Sequence, residues 1–208
     1  MDGHEPGFDF TRHMRHVCAD ISARLPEFSH IDVDRMAIRW CQARRRSQYG
    51  IQASLTPMRF AHGALETTRR GKRWTIERIV DGDGREMLYL LSFYLPRFLN
   101  LPFEEKLATV CHELWHVGEA FDGDLRRHDS KRYYAHGPCE KTFHANMRLL
   151  AKKWLGQAPP LSLCDPLRHD FRTLRRRVGR IFGHCLPTPK LVPVTPSRMS
   201  ASIDGGKV

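Results

Sequence analysis

Apolar residues along the chain change period several times, and each change predicts an element. Over residues 8–24, Phe10, Met14, Val17, Ile21 and Leu25 recur at helical spacing, and Pro26 stops the run. From Val33 the period becomes two: Met36, Ile38 and Trp40 alternate with Ala37, Arg39 and Cys41, the pattern of a half-buried strand. A second extended stretch covers 52–60, with Pro57 marking it as an edge. Alternation returns at Trp74 and Ile76, and Asp81-Gly-Asp-Gly84 signals a turn. The following run, 87–95, is apolar on both faces; it predicts a buried strand, with a helix broken by Pro96 as the alternative. Asn100 as a cap, Pro102 in the first turn and Glu104 and Glu105 beside the positive helix end predict a helix through Val117. A polar loop spans about 119–136. Pro138 then opens a helix with Phe143, Met147, Leu150 and Trp154 on its buried face, stopped by Gly156 and Pro159-Pro160.

Strands followed by packed helices make an α+β domain. The expected layout is one domain over 1–160, a basic helical extension over 161–185 and a Pro/Gly-rich tail over 186–208 that is predicted to be disordered. The 208 residues carry 34 Lys+Arg against 23 Asp+Glu, a net charge of +11, with a 41% hydrophobic share that suffices for a core. No apolar run reaches the roughly 18 residues of a membrane helix, and the N-terminus has no apolar signal-peptide region. The expectation is a cytoplasmic protein with no membrane contact. The six cysteines include no CxxC pair, so they are expected to be reduced thiols rather than a zinc ribbon or a disulfide framework.

Within the 100–117 helix lies His112-Glu113-Leu114-Trp115-His116, an HExxH motif. Residues i and i+4 share a helix face, so two neutral imidazoles can grip one zinc ion while Glu113, beside them, serves as general base for water attacking a polarised carbonyl. With 12 His in the chain, random order would give this motif only about 0.03 times. Leu107, Val110, Cys111 and Leu114 form an apolar stripe, which turns the histidines to the opposite side with Glu105 and Thr109. A catalytic zinc needs a third protein ligand. Glu119, Asp122, His128, His136, Glu140 and His144 are candidates. The spacing HExxHxxGxxH is not met, because Glu119 and Asp122 stand at its glycine and final histidine. His136 precedes Gly137 and a helix start, so its ring can point back from a loop; His144 sits at the flank of the next helix's stripe.

The stretch from Tyr89 to about Trp154 contains FYLPRF, HELWH, FDGDLRRH and a later His136-Gly137. In it the chain resembles a zinc metallopeptidase family of phages and bacteria and, more distantly, SprT-like zinc proteases. The resemblance covers about a third of the chain. It implies a zincin-like fold: a small, mostly antiparallel sheet, an HExxH helix and a second helix following the third ligand. It implies His112, His116 and His136 as zinc ligands, Glu113 as general base and a protein or peptide substrate. Phe143 lies further from His136-Gly137 than the SprT-like aromatic does, and no cysteine pairs supply the SprT-like C-terminal zinc ribbon, so a DNA-repair role is not implied.

Two rival expectations remain: a zinc amidase acting on a small or modified substrate, and a basic nucleic-acid-binding protein with a structural zinc. Positive charge concentrates at Arg44-Arg45-Arg46 and over 168–182, where Arg172, Arg175, Arg176 and Arg180 are expected to share a helix face and contact phosphate without reading sequence. The 121–124 loop is expected to be a tight turn whose aspartates pin Arg126 or Arg127. Tyr133 or Tyr134 is a further candidate, as an oxyanion donor.

Overall fold

The computed structural model describes residues 7–43, 50–127 and 140–195. The chain opens with a two-residue strand, β1 (Phe8–Asp9), and a helix, α1 (Phe10–Arg24). The helix begins two residues later than its apolar period suggests because Asp9 caps it, its carboxylate accepting the Arg12 N–H at 2.9 Å. Strand β2 (Met36–Gln42) and strand β3 (Ala53–Pro57) come next, then β4 (Glu66–Arg69) and β5 (Lys72–Ile76), joined through a turn in which Arg70 and Gly71 both take positive φ. Strand β6 (Tyr89–Leu95) is buried along nearly its whole length, so the 87–95 run is a strand and the helical alternative does not form.

The sheet that supports the rest has the order β2-β6-β3. β6 pairs in parallel with β2 and antiparallel with β3, which corrects the expectation of a mostly antiparallel sheet at this place: the sheet is mixed. The long excursion between β2 and β6 allows this, since a parallel pair cannot be closed by a short turn. β3 is an edge strand, as Pro57 suggests. A second sheet, β4-β5-β8, is antiparallel and includes β8 (Leu191–Pro193); β7 (Ile181–Phe182) pairs in parallel with β1. Within the proline-rich stretch, Leu191–Pro193 thus lies against β5. Arg39, almost fully buried, donates to the Leu186 carbonyl at 2.6 Å and to Thr188 Oγ1 at 2.9 Å, tying that stretch to β2.

Helices α2 (Phe103–Trp115) and α3 (Glu140–Gly156) pack together, and α1 and α2 lie against the sheet. The core joins Phe10, Met14, Val17 and Ile21 of α1 to the α2 stripe and to Met147, Ala151 and Trp154 of α3. Leu150, expected inside, is only partly buried. The short helix α4 (Leu161–Cys164) and helix α5 (Phe171–Val178) add Cys164, Leu167 and Leu174 to the same cluster, so residues expected as an extension share the core of the rest. Gly179 at φ 77° ends α5, which leaves Arg180 off the helix; its guanidinium instead lies 5.1 Å from the Phe182 ring centroid. Asn100 does not cap α2. Pro102 takes the cap position, and Asn100 Oδ1 accepts the Phe171 N–H at the start of α5. No described helix is long and apolar enough to cross a membrane.

Candidate active site

Helix α2 carries the motif. Its stripe, Leu107, Val110, Cys111 and Leu114, is fully buried, which fixes the helix's rotation and sends His112 outward. His116 occupies the C-cap, still in helical conformation, with its N–H bonded to the Glu113 carbonyl at 3.2 Å. The motif therefore closes the helix, and its second histidine is held by the 117–126 loop. The His116 carbonyl accepts the Arg126 N–H at 2.8 Å, and Val117 bridges to Leu125. Gly118 N–H bonds the Asp124 carbonyl at 3.2 Å; a Cβ at Gly118 would stand 2.7 Å from that oxygen, so only glycine permits the approach.

The 121–124 turn is the expected brace. Asp122 Oδ1 accepts the Asp124 N–H at 3.1 Å, and the Asp124 carboxylate accepts from the His62 N–H at 2.9 Å and from Arg127 Nε at 2.7 Å. Arg126 is held instead by Glu119 and by the Trp115 carbonyl, and it lies over the Trp115 ring. Glu119 and Asp122 thus spend their carboxylates on the turn.

The His112 and His116 rings are neighbours, with centroids 4.8 Å apart. Two imidazoles binding one ion at roughly 2.0–2.1 Å with tetrahedral angles would place their centroids about 5 Å apart, so the pair fits zinc. Phe143 of α3 packs edge-on to His112, its ring centroid 5.0 Å away. His144 brings a third imidazole, its ring centroid 5.5 Å from that of His112. Among the described residues no three His, Cys, Asp or Glu side chains converge as a ligand set. His136 and His128 lie outside the described residues, as do Tyr133, Tyr134 and Arg44-Arg45-Arg46.

Glu113 points toward the sheet and is 7% exposed. Burial pushes its carboxyl up to about 7, opposed by a hydrogen bond from the Leu55 backbone N–H. The register explains that bond. Tyr94 N–H donates to the Gln52 carbonyl and Met58 N–H to the Leu88 carbonyl, so the even residues of β3 pair with β6. Ala53 and Leu55 therefore turn their backbone groups off the edge, toward α2. Between this edge, α2 and α3 lies a cavity of about 350 Å³. Ile51, Gln52 and Ala53 line one wall; Thr109, His112 and Glu113 line another. His144 and Arg148 close it from α3, with Arg148 paired to Glu105 through two bonds of 2.6 and 3.2 Å.

Sequence alone puts His144 on a flank and gives no sign of Arg148 or of the Leu55 N–H. His144 and Arg148 are four residues apart on the polar side of α3, which by itself reads as a solvated face; the Leu55 contact depends on strand register, which has no signature in the residues themselves. No family model, no curated protein and no solved structure matches this chain.

Proposed function

We propose that the chain is a zinc-dependent metallopeptidase of the zincin type, with His112, His116 and His136 holding the metal and Glu113 as the general base. The observation that carries this reading is a juxtaposition: two imidazoles at ion-sharing distance, and an open sheet edge on the cavity that one of them, His112, lines together with the buried carboxylate of Glu113. When bound, zinc supplies Lewis-acid polarisation of a carbonyl and acidifies water. The chain's own residues do the rest. An extended peptide adds to the edge of β3 next to Ala53, in the manner of an added strand, and lays one side chain into the cavity beside Thr109. A volume of about 350 Å³ takes a segment of one or two residues rather than a folded loop. The carboxylate of Glu113 accepts the proton of the attacking water and returns it to the departing amine. The Leu55 N–H fixes that carboxylate's orientation while leaving it a second oxygen for the proton.

The test is hydrolysis of casein and of a mixed peptide library by zinc-loaded protein. Cleavage that a chelator stops and zinc restores is expected. Glu113→Gln is expected to keep zinc and to lose turnover by about 10²–10⁴-fold. Turnover in Glu113→Gln equal to that of the parent would remove the residue from the mechanism, and hydrolysis indifferent to the chelator would overturn the metal-dependent reading.

A further inference from the structure

We infer that the solvent face of α5 is a binding surface for the phosphate backbone of a nucleic-acid duplex. Residues 165–180 hold six arginines against two aspartates. The helix separates them from its apolar side: Leu174 is buried, and Phe171 and Val178 pack against the core. Arg172, Arg175 and Arg176 are exposed. The local acids have other partners, although Asp170 also attracts Arg176 from beyond ion-pair distance. Asp170 caps the helix by accepting the Thr173 N–H at 2.7 Å, and Asp165 pairs with Arg177 at 3.6 Å. Among the described residues no carboxylate lies within ion-pair distance of Arg172, Arg175 or Arg176. Arg168 extends the face from the preceding turn, with its guanidinium 4.6 Å from the Phe103 ring centroid.

Arg172 and Arg176 stand one helical turn apart, where like charges repel. A partner with closely spaced negative charges relieves that repulsion, and a duplex presents one charge per roughly 1.7 Å of its axis. Each guanidinium can meet a phosphate through two bonds. An anionic membrane fits less well, because this face offers no apolar side chain to enter lipid: Phe171, Leu174 and Val178 all point inward. Arg180 stacks on Phe182 and belongs to a different surface.

The experiment is fluorescence anisotropy of the full chain on a 25-base-pair duplex of arbitrary sequence across salt. Three phosphate contacts predict a log–log slope of about −2.7, hence a loss of affinity of about 40-fold between 50 and 200 mM salt. The variant Arg172→Gln, Arg175→Gln, Arg176→Gln keeps residues of good helix propensity and is expected to lose at least tenfold in affinity and most of that slope. Arg176→Gln alone should lower the slope by about 0.9, which provides the reading if the triple variant does not fold. A control, Arg69→Gln, Lys72→Gln, Arg85→Gln, removes equal charge from exposed hairpins and should keep most of the binding. Equal losses in the two triple variants would overturn the assignment to α5. Absence of duplex binding at 50 mM salt would overturn it as well. Phosphatidylserine vesicles bound as tightly as the duplex would replace nucleic acid with a membrane surface.

Discussion

Lys106 provides a sharp test of how α2 is held in place. Its side chain is 1% exposed, yet it lies outside the cavity, and its ammonium donates to the Leu167 carbonyl at 2.8 Å and to the His169 carbonyl at 2.6 Å. These bonds clamp the first half of the site helix to the turn before α5. Burial lowers its pKa to about 8, only partly offset by Asp170. Lys106→Met keeps the stem's volume, removes both donors and leaves two buried carbonyls unpaired. Two charge-assisted bonds are each worth roughly 1.5–3 kcal/mol, and removal of the desolvated charge returns part of that, so a net loss of about 2 kcal/mol at pH 7 is expected. The pH dependence is more telling. Between pH 8 and 10.5 the unfolded chain holds a proton on this lysine that the folded chain has released, so unfolding takes up protons and the folded state gains with rising pH. The stability attached to the depressed pKa is complete above 10.5 and lost as pH falls through 8. The gap between parent and Lys106→Met should therefore widen from pH 7 to 9.5 by about 2 kcal/mol. Urea unfolding of both proteins in thiol reductant measures it, and their shared cysteines and tyrosines cancel in the difference. A gap that stays constant or narrows would mean that the Lys106 ammonium is not destabilised by its burial.

Two further outcomes are expected. His13 is buried, donates one ring N–H to the Leu163 carbonyl and has no partner for Nε2 among the described residues; burial lowers its pKa to about 4. Its contribution is complete above pH 6.5 and is lost as pH falls through 4, so parent minus His13→Gln stability should drop by about 3 kcal/mol between pH 7 and 4, and parallel acid curves would exclude this residue as a source of acid lability. Zinc stoichiometry should fall well below one in His136→Ala and stay near one in His144→Ala; the reverse pattern would transfer the third-ligand role to His144.

How much is legible in the residues depends on whether the controlling force is local. The apolar stripe of α2, the double-sided burial of β6 and the edge position of Pro57 all come from patterns of a few residues, and the structure has them. The caps are harder to read. Asn100 has the right chemistry for a helix start, but tertiary packing delivers it to α5, some 70 residues away. The proline-rich stretch after 185 looks unable to fold because it has little apolar surface of its own. Buried Arg39 and the open edge of β5 supply partners that composition does not record. In the same way the HExxH motif announces His112, Glu113 and His116, whereas the cavity that His112 and Glu113 line draws on β3, α2 and α3, which meet only through long-range contacts.

The proposed function stands on a catalytic metal shared by His112 and His116, next to the cavity that His112 and Glu113 line. A crystal of the zinc-loaded protein, with anomalous differences collected on both sides of the zinc edge, tests it most directly. One strong peak is expected within about 2.2 Å of an imidazole nitrogen of each histidine, with a third ligand from His136 and one position left open. A peak at some other cluster, or at these histidines with four protein ligands closing the site, would contradict it.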